Sequence, residues 1–423
     1  MIGGLDLQYL PVHPSGRPKG MTMTEILLQD MNSPLIHEVE GLESVGLEPP
    51  TDRHGQSVRA WIRSLNGIQK EGVTLSGVTG RAWRFASDEG AHLGGHDFAP
   101  NPLGYVSVGM AGSFMTELRA LAQARGIKLE NPVLVLENFY FRDGSFPRGT
   151  MVSGALPPEV SLECSSTASA DEIHRLLMDA VTASPVNGLA RDEKISLFSL
   201  THNGTQIDPV TVAALPGEAL PDPGDPIAAL RRSTGDEGNQ PLAEKTVSEE
   251  AMSARIAADP PAAPVLEGSR KLLHLRTTCT VRPDGTYDCL REQFATSAST
   301  WSFVVDDRPE HGAVIAPDSM SYFSVGVAFC FMTQIGRYSH MAKLPLNAYG
   351  VVQDMHFTLG GASAGTGRGG TGDPAETHVF MQTGTDDDTA REIIRVAEQT
   401  CFLHALCRDP AKIKVRRDPI PAG

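Results

Sequence analysis

Cysteine is scarce in this chain, with six in 423 residues. So few in so long a chain exclude a disulfide scaffold and point to reduced thiols in a cytoplasmic setting. Positive charge is also short: 36 Lys and Arg stand against 51 Asp and Glu, a formal net charge of −15. That balance argues against nucleic acid and against an anionic membrane surface as partners. No apolar run approaches the roughly 18 residues of a membrane span. The opening MIGGLDLQYLPVHPSGRPKG lacks a basic start followed by an apolar core, so no signal peptide is expected. What remains is ordinary globular composition, 40% hydrophobic and 21% charged, long enough for two or three domains.

The strongest signal is a repeat. Residues 316–333 reproduce 99–116 without a gap at an offset of 217, with identity at ten of eighteen positions. The shared residues include Pro100 and Pro317, Tyr105 and Tyr322, Gly109 and Gly326, and Thr116 and Thr333. Such self-similarity reads as an internal duplication. The later stretch begins with Pro317, Asp318 and Ser319, a helix start, and continues apolar on nearly every face, as a buried helix does. The same offset relates Ala170–Val186 to Asp387–Leu403, both amphipathic helices. Two positions stand out in this register: Ser113 corresponds to Cys330, and Ser184 to Cys401. One half carries serine at both, the other cysteine at both.

Around these helices each half follows one plan of strands, long helix, strands, helix. Residues 1–55 form an N-terminal extension. The first domain spans 56–212, with strands in 57–87, near 132–142 and near 149–164. A Pro- and Ala-rich linker follows at 213–267, with a short helix in its middle. The second domain spans 268–423, with strands in 271–306, near 348–360 and 376–384, and a final short strand in the tail.

The pattern Ala99-Pro100-Asn101-Pro102, Gly109, Ala111, Ser113 resembles the OsmC/Ohr family, as does Ala316-Pro317, Gly326, Ala328, Cys330. A second cysteine, placed as Cys401 is on a later helix, fits the same family. Ser184-Pro185-Val186-Asn187 looks like its second-cysteine motif with the cysteine replaced. The resemblance implies an α+β fold in which two OsmC-like domains form an intramolecular pseudo-dimer, with antiparallel sheets wrapped around long central helices. It implies thiol peroxidase chemistry on an organic hydroperoxide or related electrophile, with Cys330 peroxidatic and Cys401 resolving. It further implies a small-molecule substrate, a dithiol reductant and no cofactor. A thiolate is the nucleophile, and a sulfenic acid beside a second thiol condenses to a disulfide. The first domain, with serine at both places, is expected to be non-catalytic and to complete the fold. Association of pseudo-dimers into a larger homo-oligomer stays open.

Two departures keep a second reading alive. The family's peroxidases carry a glutamate ten residues before the first cysteine, where this chain has Met320 and, in the first half, Leu103. They also use an arginine from the strand region, and no motif selects among Arg59, Arg63, Arg81, Arg84 and Arg308. The alternatives are a cysteine-dependent lyase, hydrolase or transferase, or a non-catalytic binding protein.

Candidate activating groups are His340, ten residues beyond Cys330 and on the same helix face as Arg337, and Arg308, Glu310 and His311 in the preceding loop. Asp88, Glu89, His92, His96 and Asp97 read as a polar loop rather than a metal site. Gly365–Gly370 matches G-x-G-x-x-G, but between two strands it reads as a mobile hairpin loop over the pocket, not a dinucleotide site. Cys279 and Cys289 flank the Pro283–Gly285 turn and should face each other across a hairpin as packing residues. Cys164 and Cys407 have no arguable partner. Ser113 and Ser184 lack the base or G-x-S-x-G context of a nucleophile.

Overall fold

The computed structural model describes residues 27–421 apart from 237–239, 267, 269, 295–298 and 309–313. Before the linker the chain forms β1 (Ile36–Glu40), β2 (Gly55–Ser64), β3 (Lys70–Ser76), β4 (Ala82–Ser87), α1 (Pro102–Ala124), β5 (Glu130–Asp143), β6 (Val152–Ser165), α2 (Ala170–Ala183), α3 (Pro185–Arg191), β7 (Leu197–His202) and β8 (Thr205–Ile207). The linker holds β9 (Arg231–Arg232), β10 (Ala243–Val247) and α4 (Glu249–Ala258). Then come β11 (Lys271–Val281), β12 (Tyr287–Gln293), β13 (Thr300–Val305), α5 (Ser319–Met341), β14 (Leu346–Thr358), β15 (Glu376–Thr383), α6 (Asp387–Thr400), α7 (Phe402–Arg408) and β16 (Lys414–Val415). The pairs α1/α5, α2/α6 and α3/α7 keep the offset of the sequence repeat at both of their ends.

The two long helices start for the same reason. Asn101 and Asp318 sit in extended backbone, and their side chains accept the amides of Gly104 and Ser321. Each so satisfies one of the orphan donors of a first turn. The helices cross backbone to backbone, with glycine at both contacts. A Cβ on Gly109 would lie 2.6 Å from the Ser319 carbonyl oxygen, and one on Gly326 would lie 2.9 Å from that of Pro102. Nothing larger fits there. Both helices are buried almost all round, and their Phe, Met, Val and Tyr side chains form the main core.

The sheets interleave the halves of the chain. One runs β8-β7-β15-β14-β2-β3-β4-β1-β9, the other β10-β13-β12-β11-β5-β6-β16. Val351 of β14 pairs with Ile62 of β2, and Thr278 of β11 with Val135 of β5. The expectation of purely antiparallel sheets needs correction. β7 runs parallel to β15 and β16 parallel to β6, each pairing with a strand of the opposite half after two helices have carried the chain over from the other sheet.

Two further segments differ from the sequence reading. The linker is woven into both sheets, β9 pairing with β1 and β10 with β13, while Ile227 closes a small core over Trp61, Val352 and Phe380. The described part of the N-terminal extension supplies β1, which pairs with β4. The glycine-rich stretch joins β14 to β15 with no helix start. It is fastened down: Gly361 and Gly370 donate to the carbonyls of Ala183 and Thr182, and Glu117 accepts the amides of Ala362 and Ser363. The described helices include none long and apolar enough to cross a membrane.

Candidate active site

Cys330 lies in the middle of α5, one turn beyond the point where the start of α1 crosses it. Cys401 ends α6 and begins α7, in extended backbone between the two. That junction packs on α5 and brings the Cys401 thiol within interaction range of the Cys330 thiol. Cys330 is 3% exposed and Cys401 fully buried. Burial, with the neighbouring Cys330, pushes the Cys401 thiol well above its usual range, while the amides of His404 and Leu403 pull the other way. The serines of the first half stand in the same relation, with Ser113 Oγ 2.7 Å from Ser184 Oγ.

Residues from both halves of the chain surround the cysteine pair. Lys70 opens β3 and is 0% exposed, with its Nζ donating to the Ile68 carbonyl at 2.5 Å. Burial lowers its pKa, and Glu89, Asp88 and Cys330 oppose that shift. Glu89 shows the converse: burial raises its carboxyl, while Lys70, a hydrogen bond from Thr333 (2.9 Å) and Arg337 hold it down. Lys70 and Glu89 each favour the other's charged form against burial, and Lys70 is within electrostatic reach of the Cys330 thiol. His404 lies one turn into α7, its ring between Phe331 and Phe198. Neither ring nitrogen has a hydrogen-bond partner, and burial drops its pKa to about 3, so the ring is neutral.

The serine pair has different company. Tyr287 is the counterpart of Lys70 in the register of the repeat, so a phenol stands where the other site has an ammonium. Thr116, the counterpart of Thr333, bonds Asp307 at 2.8 Å and the Tyr287 hydroxyl at 3.0 Å. A cavity of about 490 Å³ opens beside Ser113, bordered by Thr116, Glu117, Asp307, Arg308 and Asp318. Burial and the nearby Asp307 push Asp318 up to about 6. Its carboxylate is already occupied in capping α5.

The anticipated activating groups are elsewhere. Arg308 borders the serine cavity and ion-pairs with Asp306 at 2.7 Å, so it serves the opposite site. His340 is exposed in the last turn of α5. Glu310 and His311 lie outside the described residues. Arg337 covers the Phe146 ring and reaches Glu89 only through its field. Lys70, Glu89 as the counterweight to Lys70, and Tyr140 escaped sequence reasoning. A lysine inside a strand reads as an edge or surface residue, and the strands of the two halves share too little identity to set Lys70 against Tyr287.

The remaining cysteines and loop residues are structural. Cys279 and Cys289 are direct cross-strand partners in β11 and β12, both buried. Cys407 is buried and pushed up to about 12, and Cys164 is half-buried. Asp88 accepts the amides of Glu89, His96 and Phe98, and Asp97 binds Lys245 and Ser299. Among the described residues no group of three or more His, Cys, Asp or Glu is placed to hold a metal ion.

Residues 310–416 match the model of a family described as OsmC-like protein, a span that contains both Cys330 and Cys401. Among solved structures, the chain is similar to an OsmC-like hydroperoxide resistance protein from Jannaschia sp. CCS1. The two are 19% identical with a TM-score of 0.24, over 36% of this chain and 99% of that one. No curated protein matches the chain.

Proposed function

We propose that the chain is a thiol peroxidase built from two OsmC-like copies, of which the second carries the reactive cysteines and the first supplies the groups around them. What supports this reading most is that Cys330 in α5 and Cys401 at the α6–α7 junction are buried within interaction range of each other, with the buried Lys70 in electrostatic reach of Cys330. Support for two copies comes from the ten identities in 99–116 and from three helix pairs at one offset. The family match over 310–416 supports the chemistry.

In the first step the Cys330 thiolate attacks the terminal oxygen of a hydroperoxide. The O–O bond breaks, the alkoxide leaves and takes a proton, and Cys330 becomes a sulfenic acid. Cys401 then attacks that sulfur, an S–S bond forms, and the oxygen departs as water. A dithiol reductant returns both cysteines to thiols, so two electrons and two protons enter for each hydroperoxide reduced to an alcohol. Lys70 compensates the thiolate charge, the role that an arginine has in the family it resembles. Burial lowers the Lys70 pKa, and Glu89 is the first of the groups that oppose it.

The test is mass spectrometry after stoichiometric hydroperoxide. The expected product is a Cys330–Cys401 bridge, lost in Cys330→Ser and Cys401→Ser. Turnover that survives Cys330→Ser, or peroxide that never yields the bridge, refutes the reading. A cysteine-dependent lyase, hydrolase or transferase would instead retain turnover in Cys401→Ser.

A further inference from the structure

Tyr140 is the residue of this site that no step above uses. It lies on β5, opposite Leu273 of β11, and is 0% exposed. Its ring packs on Phe402, the residue after Cys401, at 5.8 Å between centroids. Its hydroxyl lies within electrostatic reach of Cys330, Cys407 and Cys401, with Cys330 felt most strongly. Yet that hydroxyl has no hydrogen-bond partner. A buried hydroxyl without a partner is costly and calls for an explanation.

The other half of the molecule supplies the control. Phe357 of β14 is the counterpart of Tyr140 in the register of the repeat. It lies opposite Gln56 of β2, which is in turn the counterpart of Leu273. Phe357 is as buried as Tyr140. A phenylalanine therefore fills this place in the fold where the helices present serines. Where they present thiols, the same ring carries an added oxygen with nothing to bond. Packing does not require the hydroxyl, so its partner belongs to another state of the site.

The reading of Cys330 as peroxidatic supplies that state, and the inference rests on it. Oxidation places one new oxygen on Cys330, the only polar atom the reaction adds within the pocket. We infer that the Tyr140 hydroxyl donates a hydrogen bond to the oxygen of the Cys330 sulfenic acid and assists its departure when Cys401 attacks. In that step the S–O bond of Cys330 breaks and the Cys330–Cys401 bond forms. The oxygen leaves with the bonding pair, and the proton of the Cys401 thiol completes the water. Tyr140 stabilises the charge growing on that oxygen and ends the step as it began, protonated.

The experiment is a single turnover of the full chain and of Tyr140→Phe, with dimedone trapping of sulfenic acid and mass spectrometry of the Cys330 and Cys401 peptides over time. The expected variant melts at or above the wild-type temperature, since an unpartnered hydroxyl has gone. It forms sulfenic acid at the wild-type rate but closes the disulfide at least about tenfold more slowly. Trapped sulfenic acid and over-oxidised sulfinic acid accumulate with excess peroxide. A purely packing role would move the melting temperature and leave this split between the two steps unchanged. Closure within twofold of wild type overturns the assignment, as does equal slowing by Phe357→Tyr, which touches only the serine side. A wild-type chain that forms neither the sulfenic acid nor the bridge removes the redox reading itself, and Tyr140 with it. A wild-type chain that forms both, beside a variant that closes as fast, removes Tyr140 alone.

Discussion

Replacing Lys70 by methionine tests the electrostatic core of the site. The side chain is fully buried, and methionine has a similar length and no charge, so the cavity term is small. An opposite charge within about 4–6 Å changes the balance between a thiol and its thiolate by about 1–3 units, or about 1.4–4 kcal/mol. Glu89 opposes part of that field, so the lower portion of the range applies. The rate of Cys330 oxidation should fall by roughly 10- to 30-fold. Glu89 loses its counter-charge and takes up a proton, which removes the buried anion at once. Removing one of two buried charged partners can cost up to about 3–5 kcal/mol, so the melt establishes that the variant is folded before its rate is compared. The assay follows oxidation of Cys330 by stoichiometric hydroperoxide at pH 7, read by mass spectrometry, beside a thermal melt. A folded Lys70→Met protein that oxidises Cys330 at the wild-type rate refutes the role given to the ammonium.

Four further outcomes are expected. In Cys401→Ser, hydroperoxide should carry Cys330 to a sulfenic acid that dimedone traps, with no intramolecular bridge. Ser113→Cys/Ser184→Cys should form a disulfide under diamide, because those side-chain oxygens are 2.7 Å apart. It should give no added peroxide turnover, since Tyr287 stands where a cation is needed; measured consumption decides this. His404 has a folded-state pKa of about 3 against roughly 6.5 when unfolded. The unfolded chain alone takes up that proton, so stability is full above about pH 6.5 and falls as pH drops toward 3, by roughly 1.4 kcal/mol per unit. His404→Leu should flatten that limb in denaturant titrations run at several pH values. Glu117→Gln should loosen the loop that Glu117 holds through the Ala362 and Ser363 amides, by about 1–3 kcal/mol. Faster amide exchange confined to 360–371 is the readout.

The two long helices, their caps and the cysteine register were legible because they depend on local pattern. Asn101 and Asp318 announce helix starts, and the apolar surround of 319–341 announces burial. Ser113 with Ser184, and Cys330 with Cys401, followed from one offset. Strands β7 and β10 were not legible, since each is short and gains its partner from a segment far away in the chain. The activating groups near Cys330 in sequence, Arg308 and His340, were poor guides for the same reason. In an interleaved fold many neighbours of a helix, such as β2 and β3 beside α5, come from the opposite half.

The sequence alone determined that two similar segments each form a buried helix followed by an amphipathic one, with sulfur at both marked positions in the second. These are consequences of residue spacing, which any window of the chain contains. Only the tertiary structure decided which charge faces which sulfur. Lys70 comes within electrostatic reach of Cys330 because β3 of the first half packs on α5, and Tyr140 of β5 comes within reach of the cysteine pair through its ring contact with Phe402. A buried charge or hydroxyl is set by what surrounds it in space, and a pairing such as Lys70 with Cys330, drawn from opposite halves of the chain, leaves no trace in local pattern.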